Sequence, residues 1–171
     1  VVIVLLLLMA IYIIWRVNRY NRRLAEKNRS LYEQIQQRRQ AEAEEQRQLQ
    51  AQPEEKLTQN QQLYRRLCEL VKNPDVYTDA DTNHETLARL LGTNYQYVYA
   101  ALRECADTTP ADYLNRLRIQ YAARLLEKND DPIGLIIEQS GFTNRTTFAR
   151  LFASYYSMTP SEYRRVAAKS A

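Results

Sequence analysis

The stretch IIEQSGFTNRTTFARLF, residues 136–152, decides the fold of this chain. A single glycine, Gly141, separates two apolar runs, and the polar residues 143–147 precede the second run. Glycine lets the chain turn sharply at the end of a helix, because it adopts the left-handed backbone conformation without strain. The stretch therefore predicts a helix, a tight turn and a second helix whose polar first turn faces outward.

The same plan occurs one repeat earlier in the chain. There Gly92 ends an apolar helix, and Asn94 can cap the helix that follows. A Thr-Pro segment comes after each second helix, TPADYLNR at 109–116 and TPSEYRR at 159–165. The order and spacing of these segments indicate an internal duplication of one helix-turn-helix unit.

A long helix, predicted over residues 109–130, joins the two units. Its part from Ala111 to Lys128 would be about 27 Å long at 1.5 Å per residue. Recognition helices that lie one turn of B-DNA apart meet successive major grooves about 34 Å along the axis. The repeat therefore predicts that residues 61–171 form a domain that binds double-stranded DNA.

Composition limits the other classes of protein. The chain has three glycines, five prolines and no segment that alternates with period two, which predicts an all-α fold. Cys68 and Cys105 lack a metal-binding spacing, and His84 has no cysteine near it, so neither a zinc site nor a disulfide framework is predicted. We find no nucleophile–base pair and no phosphate loop, so we predict no enzyme, no metal site and no cofactor.

Residues 1–15, VVIVLLLLMAIYIIW, form an apolar run, and a transmembrane helix needs about 20 such residues. The chain starts at Val1, so we expect a preceding segment to supply the rest. Arginines follow directly from Arg16, and the positive-inside rule then places the residues after it in the cytoplasm. We predict a transmembrane helix over 1–17 in the inner membrane. The alternatives are a secretory signal, whose charge would precede the apolar run, and a buried core helix.

Residues 18–60 are predicted to form a juxtamembrane helix. The segment 18–50 is rich in helix formers, and Pro53 ends it. A heptad frame places Asn21, Asn28 and Ile35 at position a, and Val17, Leu24 and Leu31 at position d. Asparagine at a fixes the register and favours a two-stranded partner. The pattern predicts a weak coiled coil and a homodimer through 18–50, with a solvated single helix as the alternative.

Several spaced motifs resemble the AraC/XylS family of transcription regulators. The string I-x-x-I-x-x-x-x-G-F begins at Ile133, F-x-R-x-F begins at Phe148, and T-P-S-E-Y-R begins at Thr159. The segment YLNRLRIQYAARLL, residues 113–126, resembles that family's linker helix, and the resemblance covers about residues 77–165. The segments LARLLGTNYQYV and GFTNRTTF are also similar to the corresponding segments of the membrane-anchored members found in Bacteroidetes. The resemblance implies a DNA-binding transcription regulator with RNA polymerase as a further partner.

The outward positions of the two second helices are the candidate DNA-binding residues. They are Asn144, Arg145, Thr146, Ala149 and Arg150 in the second unit, and Tyr95, Gln96, Tyr99 and Arg103 in the first. Arg145 is the strongest candidate base reader, since arginine can bond guanine in bidentate fashion. Gln96 suits adenine, and Tyr99 can pack on a thymine methyl group.

Two hypotheses about function follow. In the first, the chain is a membrane-anchored, sequence-specific DNA-binding regulator that relays a signal from a missing N-terminal sensor. In the second, it is a membrane-tethered scaffold whose helix-turn-helix units bind protein. Residues 61–171 carry fourteen basic and thirteen acidic side chains, a net charge of +1, which motivates the second. Steep salt dependence of DNA binding would separate the two hypotheses.

Overall fold

The computed structural model of the chain describes residues 2–54 and 57–170, and for residues 2–6 and 170 it describes the backbone alone. These residues form helices and no strand, which confirms the predicted all-α class. The α-helices in chain order are α1 (Val2–Ala51), α2 (Gln59–Leu70), α3 (Asp75–Thr78), α4 (His84–Leu90), α5 (Tyr95–Ala106), α6 (Pro110–Lys128), α7 (Ile133–Gln139), α8 (Arg145–Tyr156) and α9 (Pro160–Ser170).

The predicted repeat is visible in how the helices begin and end. Gly92 and Gly141 follow α4 and α7 with φ of +66° and +77°, the left-handed conformation that the sequence predicted for them. Asn94 accepts a hydrogen bond from the Tyr97 backbone N–H at 3.2 Å, and this bond caps α5. Asn144 caps α8 in the same way. Two helix-turn-helix units, α4–α5 and α7–α8, result.

The two Thr-Pro segments start α6 and α9. In both, a threonine precedes the helix, proline occupies its first position, and an acidic residue follows at the third. Asp112 accepts a hydrogen bond from the Thr109 hydroxyl at 2.7 Å. The longer Glu162 side chain accepts from both the hydroxyl and the backbone N–H of Thr159, at 2.8 and 2.9 Å. The second segment therefore forms a full capping box.

Each helix-turn-helix unit has an apolar core of its own. Val98, Ala101 and Leu102 of α5 are buried in the first core, which α2 completes. The second core is aromatic and contains Phe142, Phe148, Phe152, Tyr156 and Tyr163. Helix α6 contributes to both, with Tyr113 in the first core and Ile119 and Ala122 in the second. It is the connecting helix that the sequence predicted.

A buried arginine ties the two units together. Arg118 of α6 is 8% exposed and donates hydrogen bonds to the carbonyl oxygens of Tyr77, Asp79 and Thr82, at 2.6, 2.8 and 2.9 Å. The turn of the second unit packs on the same segment, since a Cβ on Gly141 would lie 2.6 Å from the Thr78 carbonyl oxygen. The first unit, α6 and the second unit therefore meet at one point.

Helix α1 lies against this domain. It ends at Ala51, just before Pro53, as predicted. Leu31 and Ile35, two of the predicted heptad residues, pack against the second core, and Asn28 is buried with 6% of its surface exposed. Leu49 packs against the first core. The coiled coil predicted for 18–50 is therefore not seen as such, because the chain's own domain covers part of its seam.

The predicted transmembrane helix over 1–17 falls within α1, which begins at Val2. Val1 and the side chains of residues 2–6 lie outside the described part of the chain. In the part that is described, none of the helices has both the length and the apolar character needed to cross a membrane.

Candidate nucleic-acid interface

The outward face of α8 carries the five residues predicted for the second unit. Asn144, Arg145, Thr146, Ala149 and Arg150 are all exposed. They lie opposite the buried aromatic face of the same helix, because residues three and four apart share one side of a helix. The side chain of Asn144 is partly engaged, since its amide oxygen accepts a hydrogen bond from the Thr147 N–H at 2.8 Å.

Gly134 of α7 lies close to the guanidinium group of Arg145. A Cβ on Gly134 would lie 3.7 Å from Nη2 of Arg145, in ordinary van der Waals contact. From the sequence, a glycine inside a helix predicts only a cost of about 1 kcal/mol relative to alanine. The contact between the two residues could not be predicted from the sequence, because it depends on the angle between α7 and α8.

The outward face of α5 is aromatic. Tyr95 and Tyr99 are 41% and 39% exposed, and Gln96 and Arg103 are exposed beside them. The Tyr95 ring lies between two others, with centroids 4.9 Å from His84 and 6.0 Å from Tyr99. A row of three rings therefore runs from the start of α4 along α5.

Two details of α5 were not predicted. Arg103 forms an ion pair with Asp107, 3.1 Å between Nη1 and Oδ1, so a DNA contact by Arg103 exchanges one anionic partner for another. Tyr97 is 59% exposed, more than Tyr95 or Tyr99, and was not among the predicted residues. Tyr97 lies between the outward Gln96 and the buried Val98, so the helical spacing alone did not assign it to either face.

All nine predicted residues are exposed while α1 is packed on the domain. Helix α1 contacts the far end of α8 instead, where Arg39 donates a hydrogen bond to the Tyr156 hydroxyl at 2.8 Å. Helices α5 and α8 each pack against α6, so the two outward faces are held on one support. The arrangement offers a polar, arginine-containing helix start and an aromatic helix start to an outside partner.

Other kinds of site find no support within the described residues. No group of three or more His, Cys, Asp or Glu side chains there is arranged to hold a metal ion. Cys68 and Cys105 are free thiols, and burial raises the pKa of both. A thiol with a raised pKa is a poor nucleophile at neutral pH, because the thiolate is the reactive form.

Comparison with known proteins follows this geometry. A family model described as a helix-turn-helix domain matches residues 87–166. The regulatory protein SoxS of Escherichia coli K12 is 30% identical over 90 residues, which cover 53% of this chain and 84% of SoxS. The uncharacterized HTH-type transcriptional regulator YisR of Bacillus subtilis is 33% identical over 88 residues, which cover 52% of this chain but 31% of YisR.

Solved structures agree on the fold. The C-terminal domain of the response regulator yesN from Fusobacterium nucleatum is 29% identical with a TM-score of 0.51, and the match covers 58% of this chain and 98% of that domain. The DNA-binding domain of AdpA, solved in complex with a target DNA, is 22% identical with a TM-score of 0.54 over 61% of this chain and 94% of that one.

The fold defines a protein with a double helix-turn-helix domain. The relatives carry the names of transcription regulators. The chain belongs to the AraC/XylS family of transcription regulators, as its motifs predicted.

Proposed function

We propose that the outward faces of α5 and α8 are the surfaces that read DNA in this regulator. The observation that carries the proposal is the exposure of all nine predicted residues on two helices that pack against one connecting helix. Arg145 reads a guanine, Arg150 contacts a base or a phosphate, and the aromatic face of α5 packs against the other half of the site.

The test begins with selection of duplexes from a random-sequence pool by the 171-residue chain in detergent. Arg145→Ala should weaken binding to the selected duplex by about 1–3 kcal/mol, because it removes a bidentate contact. It should also relax base preference at one position. Arg29→Ala is the matched control, since Arg29 is an exposed arginine on α1. Unchanged affinity and sequence preference in Arg145→Ala would contradict the assignment.

We further propose that residues 1–17 anchor the chain in a membrane, with the residues after Arg16 in the cytoplasm, and that α1 relays a signal from a preceding sensor. The support is the apolar run at 1–15 and the arginines that follow it. The expected localisation is the inner membrane.

Cell fractionation tests the anchor. The chain should stay with the membrane fraction after alkaline extraction, and Leu7→Arg with Ile11→Arg should release it, because each charge at the centre of a span costs about 2.5–3.5 kcal/mol. Gln34→Arg with Gln37→Arg is the matched control, because it adds the same two charges at exposed positions of α1 outside residues 1–17. A wild-type chain that extracts without detergent would rule out the anchor.

Homodimerisation through 18–50 and a contact with RNA polymerase remain predictions of the same proposal. The dimer would raise the affinity for paired DNA sites by effective concentration. The alternative of a protein-binding scaffold is not favoured, because the relatives carry the names of transcription regulators.

A further inference from the structure

One face of α1 is packed against the second helix-turn-helix unit. The residues that are buried or partly buried there recur with helical spacing: Asn28, Leu31, Tyr32, Ile35, Gln36 and Arg39. Leu31, Tyr32 and Ile35 pack against the aromatic core, and the Tyr32 ring meets Tyr163 of α9 edge-on with centroids 5.4 Å apart. We call this set the docking face.

The polar end of the docking face is an ion pair with hydrogen bonds around it. Arg39 contacts the Glu127 carboxylate at 2.9 Å, and both side chains are mostly covered, 23% and 24% exposed. The same guanidinium group donates to the Tyr156 hydroxyl at 2.8 Å and lies 5.6 Å from the centre of that ring. Glu127 also accepts from Tyr163, whose pKa is raised by burial and then by this hydrogen bond, so the phenol stays protonated.

The docking face contains the C-terminal half of the predicted dimer seam. In the heptad frame, Asn28 and Ile35 occupy position a and Leu31 occupies position d, and a two-stranded coiled coil buries these positions against a second helix. All three face the chain's own domain in the structure. One set of side chains cannot be covered by α8 and α9 and by a second α1 at the same time.

We propose that the docking face has two alternative partners, α8 and α9 of its own chain and the same face of a second copy. The undocked chain pairs through Asn28, Leu31 and Ile35, and the docked chain is a monomer. The inference rests on the proposed function for its role in regulation, since a signal along α1 would act by releasing the face. The competition between docking and pairing does not itself depend on DNA binding.

Arg39→Ala is the variant that separates the two partners. Arg39 lies at heptad position e, outside the a and d seam, so its loss weakens docking and leaves the seam intact. Glu127→Ala weakens the same contact from the domain side without altering α1. Arg29→Ala is the control, because Arg29 lies at position b and its exposed pair with Glu33 belongs to neither interface.

Two measurements on the 171-residue chain in detergent decide the matter. Hydrogen exchange of the amides over 28–39 reports docking when it is measured at a protein concentration below the dimer dissociation constant, where no second copy covers the face. Sedimentation reports the dimer dissociation constant. Loss of a partly buried charged hydrogen bond should weaken docking about tenfold. Since two docked faces must be released for each dimer, the apparent dissociation constant should fall about a hundredfold in both variants. Arg29→Ala should match the wild type in both measurements.

The proposal is overturned if the amides of 28–39 exchange at the wild-type rate in both variants. It is also overturned if they exchange faster while the dimer dissociation constant stays the same or rises. Binding of the selected duplex is recorded on the same samples. Absence of DNA binding in the wild type would remove the proposed function, while the exchange and sedimentation results would still decide the inference.

Discussion

Arg118 and Gly141 show how two residues fix the relation between the helix-turn-helix units. The guanidinium group of Arg118 supplies donors to carbonyl oxygens that precede α4, and these oxygens would otherwise be buried without partners. Gly141 lets the second unit approach the same backbone segment. The sequence predicted the turn at Gly141, but not this contact, because a buried arginine on an amphipathic helix has the same sequence pattern as an exposed one.

Substitution of the two turn glycines by alanine should have unequal effects. Both glycines have positive φ, so backbone strain from each alanine should destabilise the folded protein by about 1 kcal/mol. A Cβ at Gly92 meets nothing within 4 Å, whereas one at Gly141 would overlap the Thr78 carbonyl group. Gly92→Ala should therefore cost about 1 kcal/mol, and Gly141→Ala about 3 kcal/mol or more. Urea unfolding gives both values, and equal losses would disprove the close approach at Gly141.

At the scale of single elements, most of the fold could be predicted from the sequence. Glycine, asparagine and Thr-Pro mark the helix ends by local chemistry, and the structure has helix ends at Gly92, Asn94 and Gly141 as predicted. Ser157 adopts the left-handed conformation, φ +53°, where it ends α8, although it is not a glycine. The path of α1 could not be predicted, because the same apolar spacing suits a coiled coil and a docked helix.

The capping box of α9 should make part of the stability depend on pH. The hydrogen bonds that Glu162 accepts, first from the Thr159 backbone N–H and then from its hydroxyl, lower the pKa of the Glu162 carboxyl below its ordinary value of 4.5. A lowered folded-state pKa means that the contribution is fully present above pH 4.5 and is lost as the pH falls through the folded value. Thr159→Ala should cost about 1 kcal/mol at pH 7.

That difference between Thr159→Ala and the wild type should shrink when unfolding is measured near pH 3. Thr109→Ala is the comparison. The Asp112 carboxylate accepts a hydrogen bond from the Thr109 hydroxyl, but among the described residues it accepts none from the Thr109 backbone N–H. A loss in Thr159→Ala that stays constant from pH 7 to pH 3 would show that the bond between the Thr159 hydroxyl and the carboxylate contributes nothing to the cap.

For the molecule as a whole, charge should set how DNA affinity depends on salt, and the geometry of the two units should set which half-site spacing is bound. The domain over 61–171 has a net charge of +1, so affinity depends on the few basic residues that face the DNA. The candidate surfaces hold three arginines, Arg103, Arg145 and Arg150. Since Arg145 is proposed to read a base, Arg103 and Arg150 are left to contact phosphates. Neutralisation of about two phosphates predicts that log K falls with log[salt] with a slope of about −2.

Arg150→Ala should reduce the steepness of this slope by about one, because it removes one phosphate contact. Titrations of the selected duplex between 50 and 200 mM salt provide the measurement. Arg165→Ala, an exposed arginine of α9 outside the two reading faces, serves as the control. A slope near zero in the wild type would point to protein binding by these surfaces instead.

The rigid connection through α6 should make binding sensitive to the spacing of the two half-sites. Five base pairs inserted between them rotate one half-site by about half a turn of the duplex. Since Arg118 and the buried residues of α6 hold the two units together, the second unit cannot follow. Affinity should fall to that of a single half-site, and full affinity on the lengthened duplex would indicate a flexible connection.

Helix α8 has its proposed DNA-reading residues at one end and its contact with α1 at the other. Arg145 and Tyr156 are separated by three turns of unbroken helix, about 16 Å. Because α8 is one continuous helix, a tilt of the helix at Tyr156 also displaces Arg145. Under the proposed function, a change in the contact between α1 and Tyr156 would alter DNA affinity through the position of Arg145, without a second contact to the DNA.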